Sequence, residues 1–503
     1  MSISKPKHYT NSLAALADSS FQYGKELFVS RSWPSLVNFA KYTLLNLLKK
    51  VKRGHMRILT QEQIYEFGER LSENPAERAK IQNVELKVVD DRFWVRLLLM
   101  SDMVSVRCGV ILIHEEVESF VYPFLPAVDF VNKGFAEAYM NGDVYTDNLV
   151  GLVHLFIDNR AALSNMSTIF SPVLNTITYL VTSPWVANTL SNALSNISAH
   201  YDISNEMFAA FLDSTMTYSC AYWTKGTLGS HDTMESLEQA QMNKIRKIIE
   251  LARIREGDHV LEIGSGWGSL AIEAVRSRKC QVTTLTLSAE QKALAEERIA
   301  EAGLSDKIEV LLCDYRSLPR EHQFDKIVSC EMIEAVGQQF LDEYFKSCDG
   351  LLKLEGEAVA VYQCITMPES RYRNYCREID FIRKYIFPGG HCPTLTHILD
   401  AARKGSQERL IPHEVQHIGA HYVRTLRLWR ENFLANFDAA IIPALSNRYP
   451  GLSPKEIDIF RRKWEYYFAY CEGGFKTGVL GVQWVVLKRE AVSGWVMEDG
   501  VPL

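Results

Sequence analysis

The stretch 260–269, VLEIGSGWGS, constrains the fold more than any other part of this chain. Val260, Leu261 and Ile263, with Glu262 among them, read as the end of a buried parallel strand. Gly264, Gly266 and Gly268 then turn the chain into Ser269-Leu270-Ala271-Ile272-Glu273-Ala274, which is helix-like. A strand, a glycine-rich turn and a helix make a niche of nucleotide size. Glycine lets backbone approach a ligand, and the switch point of an open α/β sheet leaves a crevice free. The spacing is G-x-G-x-G, not the G-x-G-x-x-G of dinucleotide folds. No Gly-Lys-Ser/Thr comes after it, which argues against a phosphate-binding P-loop. Taken alone, the motif is also compatible with a bend that holds nothing.

Beyond the motif the chain alternates regularly. Strands are expected at 282–287, 308–312, 324–330 and 358–364, with helices at 289 onward (capped by Ser288) and 344–352 between them. A strong helix at 237–251 leads into the glycine-rich strand. Further helices are expected at 422–434 and 458–471, and a last strand or hairpin arm at 479–487. Alternation of this kind implies a doubly wound α/β sheet with right-handed crossovers.

The segments before the motif read differently. Residues 33–57 place Leu36, Phe39, Ala40, Thr43, Leu47, Leu48 and Val51 at helical spacing. Six basic residues and no acidic one accompany them, a pattern that suits either a membrane-surface helix or one packed on its own domain. Strands are expected at 84–89, 93–99 and 117–122, and a helix at 135–143 that stops at glycine. The expected organisation is an N-terminal segment (1–54), a small α+β domain (55–160), a helical linker (161–199), a catalytic domain (200–490) and a tail (491–503).

Composition narrows the class. The net charge of -6 gives no pull toward nucleic acid. Ten cysteines without CxxC pairs suggest reduced thiols in an intracellular compartment, not a zinc site or disulfide framework. The opening residues MSISKPKHYT lack the apolar core of a signal peptide, and no run of 18 apolar residues is present, so a cytoplasmic protein is expected. His413, His417 and His421 lie four apart, but Glu414 to Ile418 alternates like a strand, so no metal is expected there.

Several stretches, in order and register, carry a resemblance. They are His200-Tyr201-Asp202, Tyr218-Ser219-Cys220-Ala221-Tyr222-Trp223, the glycine-rich strand end, Thr286-Leu287-Ser288-Ala289-Glu290-Gln291 and Glu331-Met332-Ile333-Glu334-Ala335-Val336-Gly337. Tyr385-Ile386-Phe387-Pro388-Gly389-Gly390, His421 to Leu426 and Tyr470 to Phe475 complete the set. Together they resemble the cyclopropane-fatty-acyl-phospholipid synthases and mycolic acid cyclopropane synthases, within the class I S-adenosylmethionine (AdoMet) methyltransferases. The resemblance implies a Rossmann-like sheet with helical inserts. It implies transfer of a methylene or methyl group from AdoMet to the double bond of an unsaturated acyl chain in a phospholipid, at a membrane surface where the protein sits peripherally. The alternatives are a methyl-branched product or a soluble small-molecule acceptor. The first domain is a candidate homodimer contact.

By match to the family, AdoMet meets Tyr218, Ser219, Glu262, Gly264, Ser265, Gly266, Trp267, Gly268, Thr286, Leu287, Gln291, Tyr315 and Arg316. The family's base is thought to be a bound bicarbonate. Cys220, Glu334 and Tyr422 match three of its holders, and Gln363 stands where many members have His. Gln donates a hydrogen bond to an anion but adds no charge. Ala335 replaces the His that often follows the glutamate. Cys471 matches a second family cysteine, the traditional active-site residue. An alkene attacks AdoMet directly and needs no thiol nucleophile, so a structural or channel-lining role suits Cys471 better.

Overall fold

The computed structural model describes residues 33–72, 74–78, 81–99, 134–163, 204–224, 235–321, 323–377 and 380–489. The chain divides into two compact units, Met1–Asp147 with Asp158–Thr182, and Asn148–Ile157 with Ser183–Leu503. Residues 148–157, expected in the small domain, therefore cluster with the larger unit.

The smaller unit is built on strands β1 (His55–Leu59), β2 (Ile64–Gly68), β3 (Asn83–Val88) and β4 (Val144–Tyr145), in the order β2-β1-β3-β4. β3 alternates buried and exposed residues along its length, as its period-2 pattern predicts. The basic helix is shorter than expected. It covers 33–48, and Arg57 lies in β1, where it pairs with Glu85 at 2.8 Å. Its stripe of Val37, Ala40, Leu44, Leu47 and Leu48 is buried, so this apolar face is already covered.

One expected strand is a helix. Residues 93–99 fall in the helix Arg92–Leu99. Asp90 starts it, accepting from the Arg92 backbone N–H at 2.8 Å, and every residue from Phe93 to Leu98 is buried. The run is apolar at every position but Arg96, and a strand cannot be told from a buried helix by periodicity in such a run. The expected strand at 117–122, most of the 161–199 linker and the His200-Tyr201-Asp202 turn lie outside the described residues.

The larger unit carries a seven-stranded sheet of β5 (His259–Ile263), β6 (Gln281–Thr286), β7 (Ile308–Leu312), β8 (Lys326–Cys330), β9 (Val359–Thr366), β10 (Leu410–His417) and β11 (Gly481–Arg489). The order is β10-β11-β9-β8-β5-β6-β7. β5 to β9 run parallel, β11 is antiparallel to β9, and β10 is antiparallel to β11. This is the class I methyltransferase α/β fold. Helices Leu237–Leu251, Ser269–Arg278, Ala289–Glu301, Leu341–Leu351 and Leu395–Gly405 flank the sheet, and Ala420–Ala435 and Pro454–Lys476 supply inserts. A capping box of Ser236 and Gln239 starts the first of these, and Ser288 caps the third by accepting from the Gln291 N–H. A core of Leu261, Ile263, Phe324, Ile327, Tyr344, Phe345, Tyr362 and Leu487 fills one face.

The helices Leu341–Leu351 and Leu395–Gly405 meet at Gly405 with no room to spare. A Cβ there would overlap the Asp342 carbonyl oxygen and come within 2.9 Å of Phe345 Cβ. Gly405→Leu is therefore expected to destabilise the unit by about 3 kcal/mol through forced separation of two packed helices. Urea denaturation reads this directly, and an unchanged midpoint would mean that the helices part freely.

Candidate active site

From β5 the connections run to β6 on one side, and the chain returns to β8 on the other side of β5. The topological switch point thus lies between β5 and β8, and the crevice opens at their carboxyl ends. Two sequence features meet there. Gly264 follows β5, and Glu331 follows β8.

The glycine turn is shaped for close approach. Gly264, Gly266 and Gly268 have φ of 100°, 48° and 86°, a region that glycine enters at no steric cost. A Cβ on Gly264 would touch the Met332 side chain at 3.4 Å, whereas nothing lies within 4 Å of one on Gly266. The turn is anchored from behind. The N–H groups of Gly264 and Ser265 donate to the Leu285 carbonyl at 3.0 and 2.8 Å. Trp267 is buried and donates from Nε1 to Asn205 at 2.8 Å, and its carbonyl accepts from Arg298 at 2.7 Å. The result is a rigid cradle open at Gly266, which fits AdoMet.

The flanking residues are placed by the next two strand ends. Thr286 Oγ1 donates to Gln291 Oε1 at 2.8 Å and leaves the exposed Leu287 between them. Tyr315 follows β7, half-buried edge-on against Tyr344 at 5.0 Å. Arg316 turns away and grips Asp314 with two bonds of 2.8 and 2.7 Å. Tyr218 sits among Phe208, Phe211, Trp429 and Phe387, its hydroxyl 3.0 Å from that of Tyr467. Glu262 is buried and accepts from Thr284 at 2.6 Å; burial pushes its carboxyl up to about 8.

The second half of the site is a polar network centred on Glu331. Its Oε1 accepts from the Cys220 backbone N–H at 2.9 Å and from Gln363 Nε2 at 2.8 Å. Its Oε2 accepts from the Tyr422 hydroxyl at 2.7 Å. The sheet itself sets this arrangement. Cys330 of β8 pairs with Gln363 of β9, which pairs with Trp484 of β11. Trp484 Nε1 donates to Gln363 Oε1 at 2.7 Å, which turns the amide nitrogen toward Glu331. Glu331 itself has φ of 49°, a strained value for a residue with a side chain.

Cys220, Gln363 and Tyr422 are thus brought together as the sequence suggested, but around Glu331 and not Glu334. Glu334 stands one turn further on. Its Oε1 accepts from the Ile365 N–H, and its Oε2 is buried with no hydrogen-bond partner among the described residues. Burial and then the neighbouring Glu331 push its carboxyl up to about 8. Burial likewise raises Glu331, against the pull of its three donors and of Lys244. Lys244 is buried, donating to Ser219 Oγ at 2.8 Å and lying 3.6 Å from Cys330 Sγ. Cys220 presents its backbone to the network, while its thiol donates to its neighbour's carbonyl and is held protonated by burial.

Cys471, on the helix Pro454–Lys476, makes no bond to Glu331, and burial keeps its thiol protonated. His413 and His417 lie on β10, while His421 begins a helix and accepts from the Trp223 N–H at 3.1 Å. Glu331, Lys244 and Trp484 were not singled out from sequence. Only Glu331 left a signal, an acidic residue directly after a strand at the switch point.

The profile of the family described as mycolic acid cyclopropane synthetase matches residues 188–485. The chain belongs to this family. It is an AdoMet-dependent methyltransferase, of a family that modifies lipid double bonds. A tuberculostearic acid methyltransferase of Mycobacterium tuberculosis is 38% identical over 358 residues, covering 71% of this chain and 79% of that protein. A probable fatty acid methyltransferase of Pseudomonas putida is 32% identical over 60% of this chain and 72% of its own length. A cyclopropane-fatty-acyl-phospholipid synthase of Escherichia coli is 34% identical over 59% of this chain and 68% of its own length. The cyclopropane synthetase match spans the whole site, from the aromatic loop at Tyr218 to Trp484 of β11.

Proposed function

We propose that this protein transfers a one-carbon unit from AdoMet to the double bond of an unsaturated acyl chain in a phospholipid and closes a cyclopropane ring. The observation that carries the reading is a buried carboxylate network at the end of β8, beside the glycine cradle at the end of β5. An alkene is a poor nucleophile, so the sulfonium methyl must be held close and aligned. Gly264, Gly266 and Gly268 hold the methyl donor, with Tyr218, Ser219, Thr286, Gln291 and Tyr315 around it. The alkene pair forms a C–C bond to the methyl as the S–C pair returns to sulfur. Proton loss from the new methyl then closes the ring. The aromatic set of Phe211, Tyr218, Trp429, Phe433, Trp464 and Phe468 suits an apolar acyl chain. Cys471, half-buried on the same helix as Trp464 and Phe468, lines or supports that region.

The protein would meet its substrate peripherally, from the cytoplasm; among the described residues no helix is long and apolar enough to cross a membrane. The expected division into five segments and a homodimer through the smaller unit belong to the same proposal. A methyl-branched product is the second reading, favoured by the relative named for tuberculostearic acid and by Gln363 in place of an imidazole.

The test is lipid analysis after expression in a host with monounsaturated phospholipids and no synthase of its own, with Glu331→Gln alongside. Acyl chains heavier by one methylene, ring-bearing and resistant to mild hydrogenation, are expected from the wild type and not from the variant. Branched chains would replace cyclopropane by the second reading. Soluble, AdoMet-binding protein that leaves the lipids unchanged would sink both.

A further inference from the structure

We infer that the Glu331 carboxylate is the base that removes the proton from the transferred methyl, in the place a bound bicarbonate would otherwise take. This rests on the acyl-lipid reading.

A small anion held beside the reacting methyl needs hydrogen-bond donors converging from several elements. The donors available here are the Cys220 N–H from the aromatic loop, Gln363 Nε2 from β9 and the Tyr422 hydroxyl from the helix Ala420–Ala435. All three are taken by Glu331, at 2.7 to 2.9 Å. A separate bicarbonate therefore does not fit this donor set. The chain carries its own carboxylate on the end of β8 and satisfies it as it would satisfy the anion.

The arrangement leaves the carboxylate basic where it is needed. An ionised carboxylate offers about four lone-pair sites. Oε1 uses two of them, and Oε2 uses one, for Tyr422. Oε2 keeps the free site and receives the proton. The balance is complete. The C–H pair forms the ring-closing C–C bond, the proton passes to Glu331 and then to solvent, and AdoMet leaves as S-adenosylhomocysteine. No further reactant is needed. Glu334 holds its own proton more readily than an ordinary glutamate, so the two neighbours need not both be charged. The left-handed backbone at Glu331 supports the same conclusion, because such strain persists where surrounding structure holds a side chain to a task.

The test uses the full chain, AdoMet and dioleoylphosphatidylglycerol vesicles, in CO2-free buffer with and without added bicarbonate. Wild type is expected to convert acyl chains at the same rate in both. Glu331→Gln fits the same space, with its oxygen toward Cys220 and Gln363 and its nitrogen toward Tyr422. It is expected to bind AdoMet normally and lose about 10²–10⁴-fold in rate, the usual worth of a positioned base. Glu331→Gly relieves the backbone and opens the donor set, and its rate is expected to return in part on adding bicarbonate. Wild-type activity that vanishes without bicarbonate, or a Glu331→Gln rate close to wild type, would overturn the inference. If wild type binds AdoMet but yields no acyl product in either buffer, the acyl-lipid reading itself fails, a result distinct from both.

Discussion

Asp349→Ala is expected to cost the larger unit about 3–5 kcal/mol, the range for breaking a buried ion pair from one side. Asp349 lies in the helix Leu341–Leu351 and is 2% exposed; Arg489, the last residue of β11, is 4% exposed. Arg489 bonds to the Asp349 carboxylate and donates to the carbonyls of Asp349 and Leu352 at 2.8 Å and of Lys353 at 3.1 Å. Arg409, just before β10, closes on the other carboxylate oxygen. Since Leu410 pairs with Arg489, the cluster fastens the two antiparallel strands at one end to the helix. Removing the carboxylate strands a buried guanidinium with backbone carbonyls alone. Arg409 is half exposed and adds little, so the cost falls on Arg489. Chemical denaturation checks it, and a loss below about 1 kcal/mol would mean that the carbonyls suffice. The cluster sits at the end of β11 that pairs with the start of β9, opposite the carboxyl ends that hold the site. AdoMet affinity well below the melting range should therefore stay near wild type.

The fold was legible where spacing reports burial directly. The glycine turn, the parallel strands after it and the cap at Ser288 are local signals, and each reappears within a few residues of its expected place. The smaller unit was harder. Residues 93–99 are apolar at nearly every position, so neither period stands out, and the deciding signal was the short acidic cap at Asp90. The site was legible in its members but not in its centre. Cys220, Gln363 and Tyr422 match family positions, yet which glutamate they serve depends on cross-strand register. A one-residue shift of β8 against β9 would point Glu331 elsewhere. Trp484 left no mark in sequence because its role, aiming the Gln363 amide, exists only once β11 lies beside β9.

Lys244→Met should move the acid limb of the pH–rate profile upward by about 1 unit, the low end of what a nearby opposite charge produces, because Lys244 is the weakest of the influences that favour ionised Glu331. Lys244 projects from the helix Leu237–Leu251 into a region holding Glu262, Glu331, Cys220 and Cys330, and its charge favours the ionised forms of all four. Burial already raises Glu331, so its proton is lost only as pH rises past the raised value. A base must be ionised to act, and the rate therefore grows with pH. Taking away the positive charge raises Glu331 further and leaves less of it ionised at any pH on that limb. Below both limbs, each unit of displacement lowers the rate tenfold, while the plateau at high pH is preserved. Lys244→Arg keeps the charge and should leave the limb where it was. A purely structural role, holding Ser219 through its 2.8 Å bond, predicts something else: a loss of equal size at every pH. The profile separates the two, because a change in the position of a group scales the whole curve and a change in its proton affinity slides it.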